Sequence, residues 1–459
     1  PCCFVSVLSV VSVIAKFAEL LLPASGWGEK QGMVTNSERM LTRQRQFMLA
    51  KGAAKPDWKA ISDVGARLCE LQGRENAFDF ACEADVFREY AAMTGLNTQS
   101  SLLLDLSEFA NITDEEYLNW QPTQWGGERP LHNGQFSFAD RKARFVIPAL
   151  PPKQQDQSWW LNTGRQRDQW HTITRTGYIS HLAATEPEPT VYMSSRSAAY
   201  MDVKSGQLVA LASSETERKI TARVAIDDGL GKRQLFMSMH WAGEYGGESQ
   251  VNAVVSRIAD PSSGQPAFKS QPVELFPVKA QTYGLYLGER FVERDFIYQS
   301  FQSEERVGVW RFADSQRYDK SFATELGETP HKRKVVLELA GGWLTVCYDE
   351  VGEDKIIRSL LMISQLPIEV DVPNLAGLIG KPLTFSALLS VSSQQEASEL
   401  ICSCFRVSDK QILRELESGA CTSVNQLKTK LKCGTNCGSC LPQVERFVAS
   451  HEQTILIAK

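Results

Sequence analysis

Four cysteines near the C-terminus have the types and spacing for chemistry. Cys402-x-Cys404 is followed, 32 residues later, by Cys437-x-x-Cys440. Two close pairs joined by a helical hairpin can bring four thiolates to one point. Four thiolates suit either zinc or an iron–sulfur cluster. The C-x-C pair is tighter than the two-to-four-residue spacing that zinc favours. Gly434 and Gly438 let the backbone curl so that its amides face the sulfurs. Cys440 precedes a helix started at Pro442, whose N-terminal dipole favours an anionic thiolate. Cys421 and Cys433 fall outside the four-ligand pattern and read as bystanders. The intervening stretch holds six basic residues (Arg406, Lys410, Arg414, Lys428, Lys430, Lys432) and three acidic ones (Asp409, Glu415, Glu417). That surplus could steer an acidic electron donor or form a solvated helix face.

A second constellation is "LNTGRQRDQWHTITRTG", residues 161–177. Thr163, Gly164, Arg165, Gln166, Arg167, Asp168, Gln169, Trp170, His171 and Thr172 crowd into ten positions. Gly164 permits close backbone approach, and the arginines can fork onto phosphate oxygens. An aromatic with hydroxyl and imidazole neighbours suits a flat ring rich in heteroatoms. An arginine-rich surface strand is the competing reading.

These residues need elements to position them. The chain has 459 residues, enough for several domains. Net charge is 49 − 54 = −5, which offers no broad basic field for nucleic acid. Six of the eleven cysteines lie in 39 residues, a clustering that favours a metal or redox site in a reducing compartment over a secreted disulfide framework. The apolar start, "PCCFVSVLSVVSVIA", is short for a membrane span and lacks a basic signal-peptide start. It reads as a buried strand feeding a helix in a chain missing its beginning. Residues 1–50 predict strand, helix, strand and turn. Residues 57–118 look mainly helical, including Leu102–Phe109, and His132-Asn133-Gly134 is a hairpin cue. Short turn-bounded strands at "TVYMSS", "QLVALASS", "ITARVAI" and "QLFMSMHW" predict a compact barrel or sandwich. Residues 277–390 suggest a small α+β unit. The last 60 predict helices with capping boxes at Ser408/Gln411 and Ser423/Gln426, and a stop at Gly419.

Two resemblances follow from these motifs. "CSCF…CGTNCGSCLPQVE" resembles the bacterioferritin-associated-ferredoxin type of [2Fe–2S] domain. The ordered series "LLLPASGWGEKQGMVTNSERMLTRQRQ", "VFREYAAMTG", "QFSFADRKARF", "NTGRQRDQWHTITRTG" and "VNAVVSRIADPSSGQPAFK" resembles the C-terminal half of assimilatory nitrate reductase catalytic subunits. Those belong to the molybdopterin guanine dinucleotide oxidoreductases, and some carry such a cysteine domain as an extension. "WHTITRTG" with that extension points to this branch rather than to formate dehydrogenases.

The resemblance implies a multidomain α/β and β architecture. Residues 1–150 would be the remnant of a Rossmann-like α/β domain. Residues 155–276 would be a double-psi β-barrel that binds the molybdopterin dinucleotide. Residues 277–395 would be an α+β linker of unknown role, and 396–450 a helical [2Fe–2S] domain. Cofactor contacts carried over by motif are Lys30, Asp57, the Thr163–Thr172 stretch, Asn252 and Lys269. Cluster ligands are Cys402, Cys404, Cys437 and Cys440. Where the family has an acidic residue and threonines after its first strand, this chain reads "VSVLSVVSVIA". The family's N-terminal half, with a [4Fe–4S] cluster and the molybdenum ligand, is absent from this sequence, so the chain alone is expected to be inactive.

The implied activity is two-electron reduction of nitrate to nitrite in the cytoplasm, by a molybdenum bis(molybdopterin guanine dinucleotide) enzyme. A NAD(P)H-dependent flavoprotein, ferredoxin or flavodoxin would donate electrons, with no nucleic-acid or membrane partner. Alternatives are a formate dehydrogenase-like oxidoreductase, a non-catalytic electron-transfer module and a zinc-stabilised interaction protein.

Overall fold

The computed structural model describes residues 20–96, 104–126, 134, 136, 138, 140–145, 147, 159–171, 173, 176–213, 215–261, 263–291, 294–305, 307–326, 333–339, 341–392 and 398–458. The apolar start, the His132-Asn133 half of the hairpin cue and Thr172 lie outside them. The chain divides into two compact units, one of residues 14–152 and one built around 153–459. No helix among the described residues is long and apolar enough to cross a membrane.

In the first unit, β1 (Gly32–Thr35) and β2 (Met40–Gln44) form a hairpin, and β3 (Thr123–Gln124) adds to β2. The Asn36 side chain accepts from the Glu38 and Met40 amides at 3.0 and 2.9 Å, which closes the turn. So short a connection can join only antiparallel strands. The β2/β3 pair is antiparallel as well. Helices α1 (Asp57–Leu71), α2 (Glu83–Thr94) and α3 (Asp114–Leu118) complete it around Leu41, Phe87, Ala91, Leu106 and Tyr117. The expected helix over Leu102–Phe109 is only the 3-10 turn Ser107–Phe109 where described. There Asp105 Oδ1 accepts from the Ser107 amide at 2.9 Å and hydroxyl at 2.6 Å, a local bond that competes with helix.

The second unit opens with a closed six-stranded barrel. Its strands are β4 (Trp159–Gly164), β5 (Thr190–Met193), β6 (Leu208–Ser213), β7 (Arg218–Ile226), β8 (Gln234–Ser238) and β9 (Gln271–Val278), in the order β4-β8-β5-β7-β6-β9. The β4/β8 and β5/β7 pairs are parallel and the rest antiparallel. Alternate residues of β4 point inward, as period-two geometry demands, and Leu161, Val191, Leu211, Leu235 and Met237 fill the interior. The expected boundary at 276/277 falls inside β9, which runs on to Val278.

An antiparallel sheet follows: β10 (Thr282–Gly288), β11 (Tyr298–Glu304), β12 (Val307–Asp314), β13 (Arg333–Leu339), β14 (Gly342–Val351) and β15 (Asp354–Ser364), ordered β11-β12-β10-β15-β14-β13. The joint between barrel and sheet is a buried ionic knot. Glu188, just before β5, accepts from Arg223 Nε and Tyr298 Oη, both at 2.7 Å, with Arg311 Nε 3.7 Å away. Burial alone would raise the Glu188 pKa, yet Arg223, Arg311 and the Tyr298 hydrogen bond outweigh it and hold it below the usual value.

The C-terminal part is a hairpin, β16 (Leu400–Cys402) with β17 (Val407–Ser408), then α4 (Asp409–Glu417), α5 (Val424–Leu431) and α6 (Leu441–Ala458). Its core is Ile401, Ile412, Leu416, Leu427 and Val444. Ser408 and Gln411 form the reciprocal capping box. At α5 only half the expected box forms. Ser423 accepts from the Gln426 amide, but the Gln426 side chain turns to the Thr422 amide and hydroxyl. Gly419 follows α4 with φ +71°.

Candidate functional site

The hairpin β16/β17 presents Cys402 and Cys404, and the turn before α6 presents Cys437 and Cys440. Their sulfurs come together as two pairs. Cys404 and Cys437 lie 3.3 Å apart and are exposed. Cys402 and Cys440 are buried and within hydrogen-bonding reach of each other. Gly434 has φ +73°, and a Cβ there would stand 2.2 Å from the Leu441 side chain. Only glycine lets this turn close over α6. The Gly434 amide then donates toward the Cys440 sulfur.

Electrostatics differ between the pairs. Ser439, then Cys404, holds the Cys437 thiol below its usual pKa. Burial, with Cys402 next to it, pushes Cys440 up to about 11. The helix dipole expected to favour an anion at Cys440 is thus outweighed by desolvation, and ligation there must displace a proton. Cys421 and Cys433 are buried in the core beside Leu427 and Val444.

Among the described residues, no group of three or more His, Cys, Asp or Glu side chains could hold a single metal ion. Two close thiol pairs suit two metals bridged in a cluster, in which each iron takes two thiolates. The donor set fits a [2Fe–2S] group better than a lone zinc.

The second constellation begins at the end of β4. Thr163 is fully buried; its hydroxyl donates to Phe268 O at 2.9 Å, and Lys269 Nζ donates to Thr163 O. This brings Lys269 onto the fingerprint. A Cβ on Gly164 would stand 2.6 Å from the Phe236 ring, so the close approach that Gly164 serves is packing on β8. Gln169 is buried and spent on scaffolding, donating to Leu182 O at 2.9 Å and accepting from Thr176 Oγ1.

Arg165 is exposed, and Trp170 and His171 are exposed with rings 4.7 Å apart edge to face. Asn252 is exposed on the 3-10 turn Val251–Val254. Lys30 and Asp57 belong to the 14–152 unit, where they form an ion pair with each other that lowers the Asp57 pKa.

Arg167 does not point into the barrel mouth as a free phosphate fork. Its Nε and Nη2 donate to Asp168 Oδ2 at 2.9 and 2.7 Å, and its Nη1 donates to Gln443 Oε1 on α6.

Two buried polar atoms beneath the fingerprint have no partner: Gln166 Oε1 and His240 Nε2. Buried polar groups are rarely left unpaired, so a water or a polar ligand would satisfy each. Burial holds the His240 ring below its usual pKa, opposed by its contact with the His171 carbonyl. Below lies Ser238, whose hydroxyl donates to Glu186 Oε1 at 3.0 Å and accepts from Gln166 Nε2 and Trp241 Nε1. Burial pushes Glu186 up to about 7. The sequence reading missed His240 and Glu186. The signal available for His240 was a lone imidazole just after the strand in "QLFMSMHW".

A molydopterin dinucleotide binding domain model matches residues 159–272 and a BFD-like [2Fe-2S] binding domain model matches 400–450. A molybdopterin oxidoreductase model matches 1–67. The chain thus carries a molydopterin dinucleotide binding domain, a BFD-like [2Fe-2S] binding domain and a segment of a molybdopterin oxidoreductase domain. It is 33% identical to a nitrate reductase of Shewanella frigidimarina, over 97% of this chain and 52% of that protein. It is 30% identical to a nitrate reductase of Klebsiella oxytoca, over 95% and 51%. A putative formate dehydrogenase of Bacillus subtilis is also 30% identical but matches only 58% of this chain and 26% of its own length. The chain thus spans about half the length of the two nitrate reductases. The dinucleotide-binding and BFD-like matches assign it a molybdopterin dinucleotide and a [2Fe–2S] cluster, the latter in line with the paired thiols.

Proposed function

We propose that this chain supplies the dinucleotide-binding and electron-entry portions of a nitrate reductase. The observation that carries the reading is the pairing of Cys402 with Cys440 and of Cys404 with Cys437, in a domain joined to a dinucleotide-binding barrel. The match to about half of each of two nitrate reductases over nearly the whole of this chain, against 58% of it for a formate dehydrogenase, supports nitrate as substrate.

In this reading Cys402, Cys404, Cys437 and Cys440 hold the [2Fe–2S] cluster, and the exposed Cys404/Cys437 edge accepts electrons from a flavoprotein, ferredoxin or flavodoxin. The barrel is of the double-psi type, which its two parallel strand pairs support. Gln166, Trp170, His171, Thr172, His240, Asn252 and Lys269 hold the dinucleotide, with Arg165 as the free fork for its phosphates. Thr163, Gly164 and Gln169 shape the site. Lys30 and Asp57, the contacts carried over by motif to the 14–152 unit, pair with each other there.

When bound, the molybdopterin group supplies the two-electron abstraction of oxygen that turns nitrate and two protons into nitrite and water. The chain's own residues orient it: neutral His240 offers an acceptor or donor at Nε2, and Gln166 an acceptor at Oε1. Four parts carry the work: 1–150, a barrel over 155–276 extended to Val278, a sheet unit over 277–395, and the cluster domain over 396–450. The clustering of six of the eleven cysteines in 39 residues supports a reducing, cytoplasmic setting.

The test is iron and sulfide analysis of the full 459-residue chain. Two irons, two sulfides and a visible spectrum lost in Cys437→Ser but kept in Cys433→Ser are expected. A colourless protein holding one zinc would overturn the reading.

A further inference from the structure

Arg167 and Asp168 sit in the barrel, inside the dinucleotide fingerprint, yet both face the cluster domain. Arg167 Nη1 donates to Gln443 on α6, the third residue after Cys440. One guanidinium thus reaches the helix that follows the Cys437–Cys440 turn. Its other edge forks onto Asp168. The Asp168 side chain is only 8% exposed, and through Arg167 it is tied to Gln443 on the helix that follows the Cys437–Cys440 turn. A second tether, Arg406 to Glu305 at 3.6 Å, is solvent-exposed and weaker.

We propose that Arg167 is a positioning residue that clasps the [2Fe–2S] domain to the barrel, and that Asp168, held by this clasp, tunes the cluster from outside its own domain. A fixed negative charge beside a cluster stabilises the oxidised form, because reduction adds one more electron to the same region. Arg167 thereby serves the joint rather than the dinucleotide phosphates. The inference rests on the cluster assignment above.

Two measurements on the full chain, reconstituted with iron and sulfide, test it. In a redox titration followed by the visible spectrum, Asp168→Asn shifts the midpoint to higher potential. A threefold change in the one-electron reduction equilibrium is expected, about 28 mV at 59 mV per tenfold. Cluster content and spectrum stay unchanged. In hydrogen exchange, Arg167→Ala raises exchange at the Val444–Val448 amides at least threefold. Gln443→Ala does the same, and the double variant adds nothing further. Arg167→Lys, which keeps the charge but not the fork, recovers only part of the protection. An unchanged midpoint in Asp168→Asn overturns the tuning role. Unchanged exchange in Arg167→Ala, or additive effects with Gln443→Ala, overturns the clasp. If no cluster assembles, the functional assignment fails, while the exchange arm still decides the clasp.

Discussion

The barrel has two joints, and they are built on opposite principles. Toward the sheet it uses Glu188, Arg223, Arg311 and Tyr298, an ionic knot with Glu188 and Arg311 side chains each 12% exposed. Toward the cluster domain it uses one arginine, one carboxylate and one amide at the rim. A buried knot is rigid because removing a member strands its partners without water. A rim clasp is held by few groups, remains accessible to salt and can let go. The sheet therefore extends the barrel's scaffold, whereas the cluster domain is fastened so that its position can be adjusted.

The largest expected effect is at the knot. Glu188→Ala strands two buried arginines and should cost about 3–5 kcal/mol, read from urea unfolding. A cost under about 1 kcal/mol would erase the contrast between the joints. The same knot should fail in acid. Its carboxylate has a folded pKa below 4.5, so its contribution is full above 4.5 and is lost as pH falls through the folded value.

Glu186 carries the opposite sign. With a folded pKa near 7 against a reference of 4.5, it keeps its proton longer when folded. Stability then falls as pH rises from about 4.5 to 7, by on the order of 3 kcal/mol. Unfolding of Glu186→Gln across that range should be flatter than for the native chain; an identical slope would show that Glu186 ionises freely.

At the clasp, Arg167→Ala should change unfolding free energy by less than about 1 kcal/mol. A loss as large as that of Glu188→Ala would make the two joints alike. The smallest effect is ionic: with a screening length of about 3 Å in 1 M salt, exchange at Val444–Val448 should rise in the native chain. Amides of β5 and β12, beside the knot, should not respond.

The cysteine set was legible in sequence because thiol spacing is local and few residues imitate it. Helix caps were legible for the same reason, although Gln426 chose Thr422 over Ser423, a contest between neighbouring donors that spacing alone does not decide. The fingerprint was legible as a polar cluster but not in its division of labour. Gly164 answers to Phe236, Gln169 to Leu182 and Arg167 to Gln443, partners 72, 13 and 276 residues away. His240, just after β8, and Glu186, before β5, come beside the fingerprint only because barrel closure pairs β8 with both β4 and β5. The 3-10 turn at Ser107 escaped because an Asx bond overrode a helical pattern.

The pairing of β4 with β9 has a consequence for biosynthesis. Trp159 lies opposite Val273, so the barrel's first strand waits for a partner made more than a hundred residues later. Loop closure of that length is slow compared with local helix docking. The cluster domain makes most of its contacts between near neighbours in the chain and should mature rapidly once synthesised. On the ribosome, barrel closure follows emergence of Gln271–Val278, and until then β4 is an unpaired edge that chaperones or aggregation can claim.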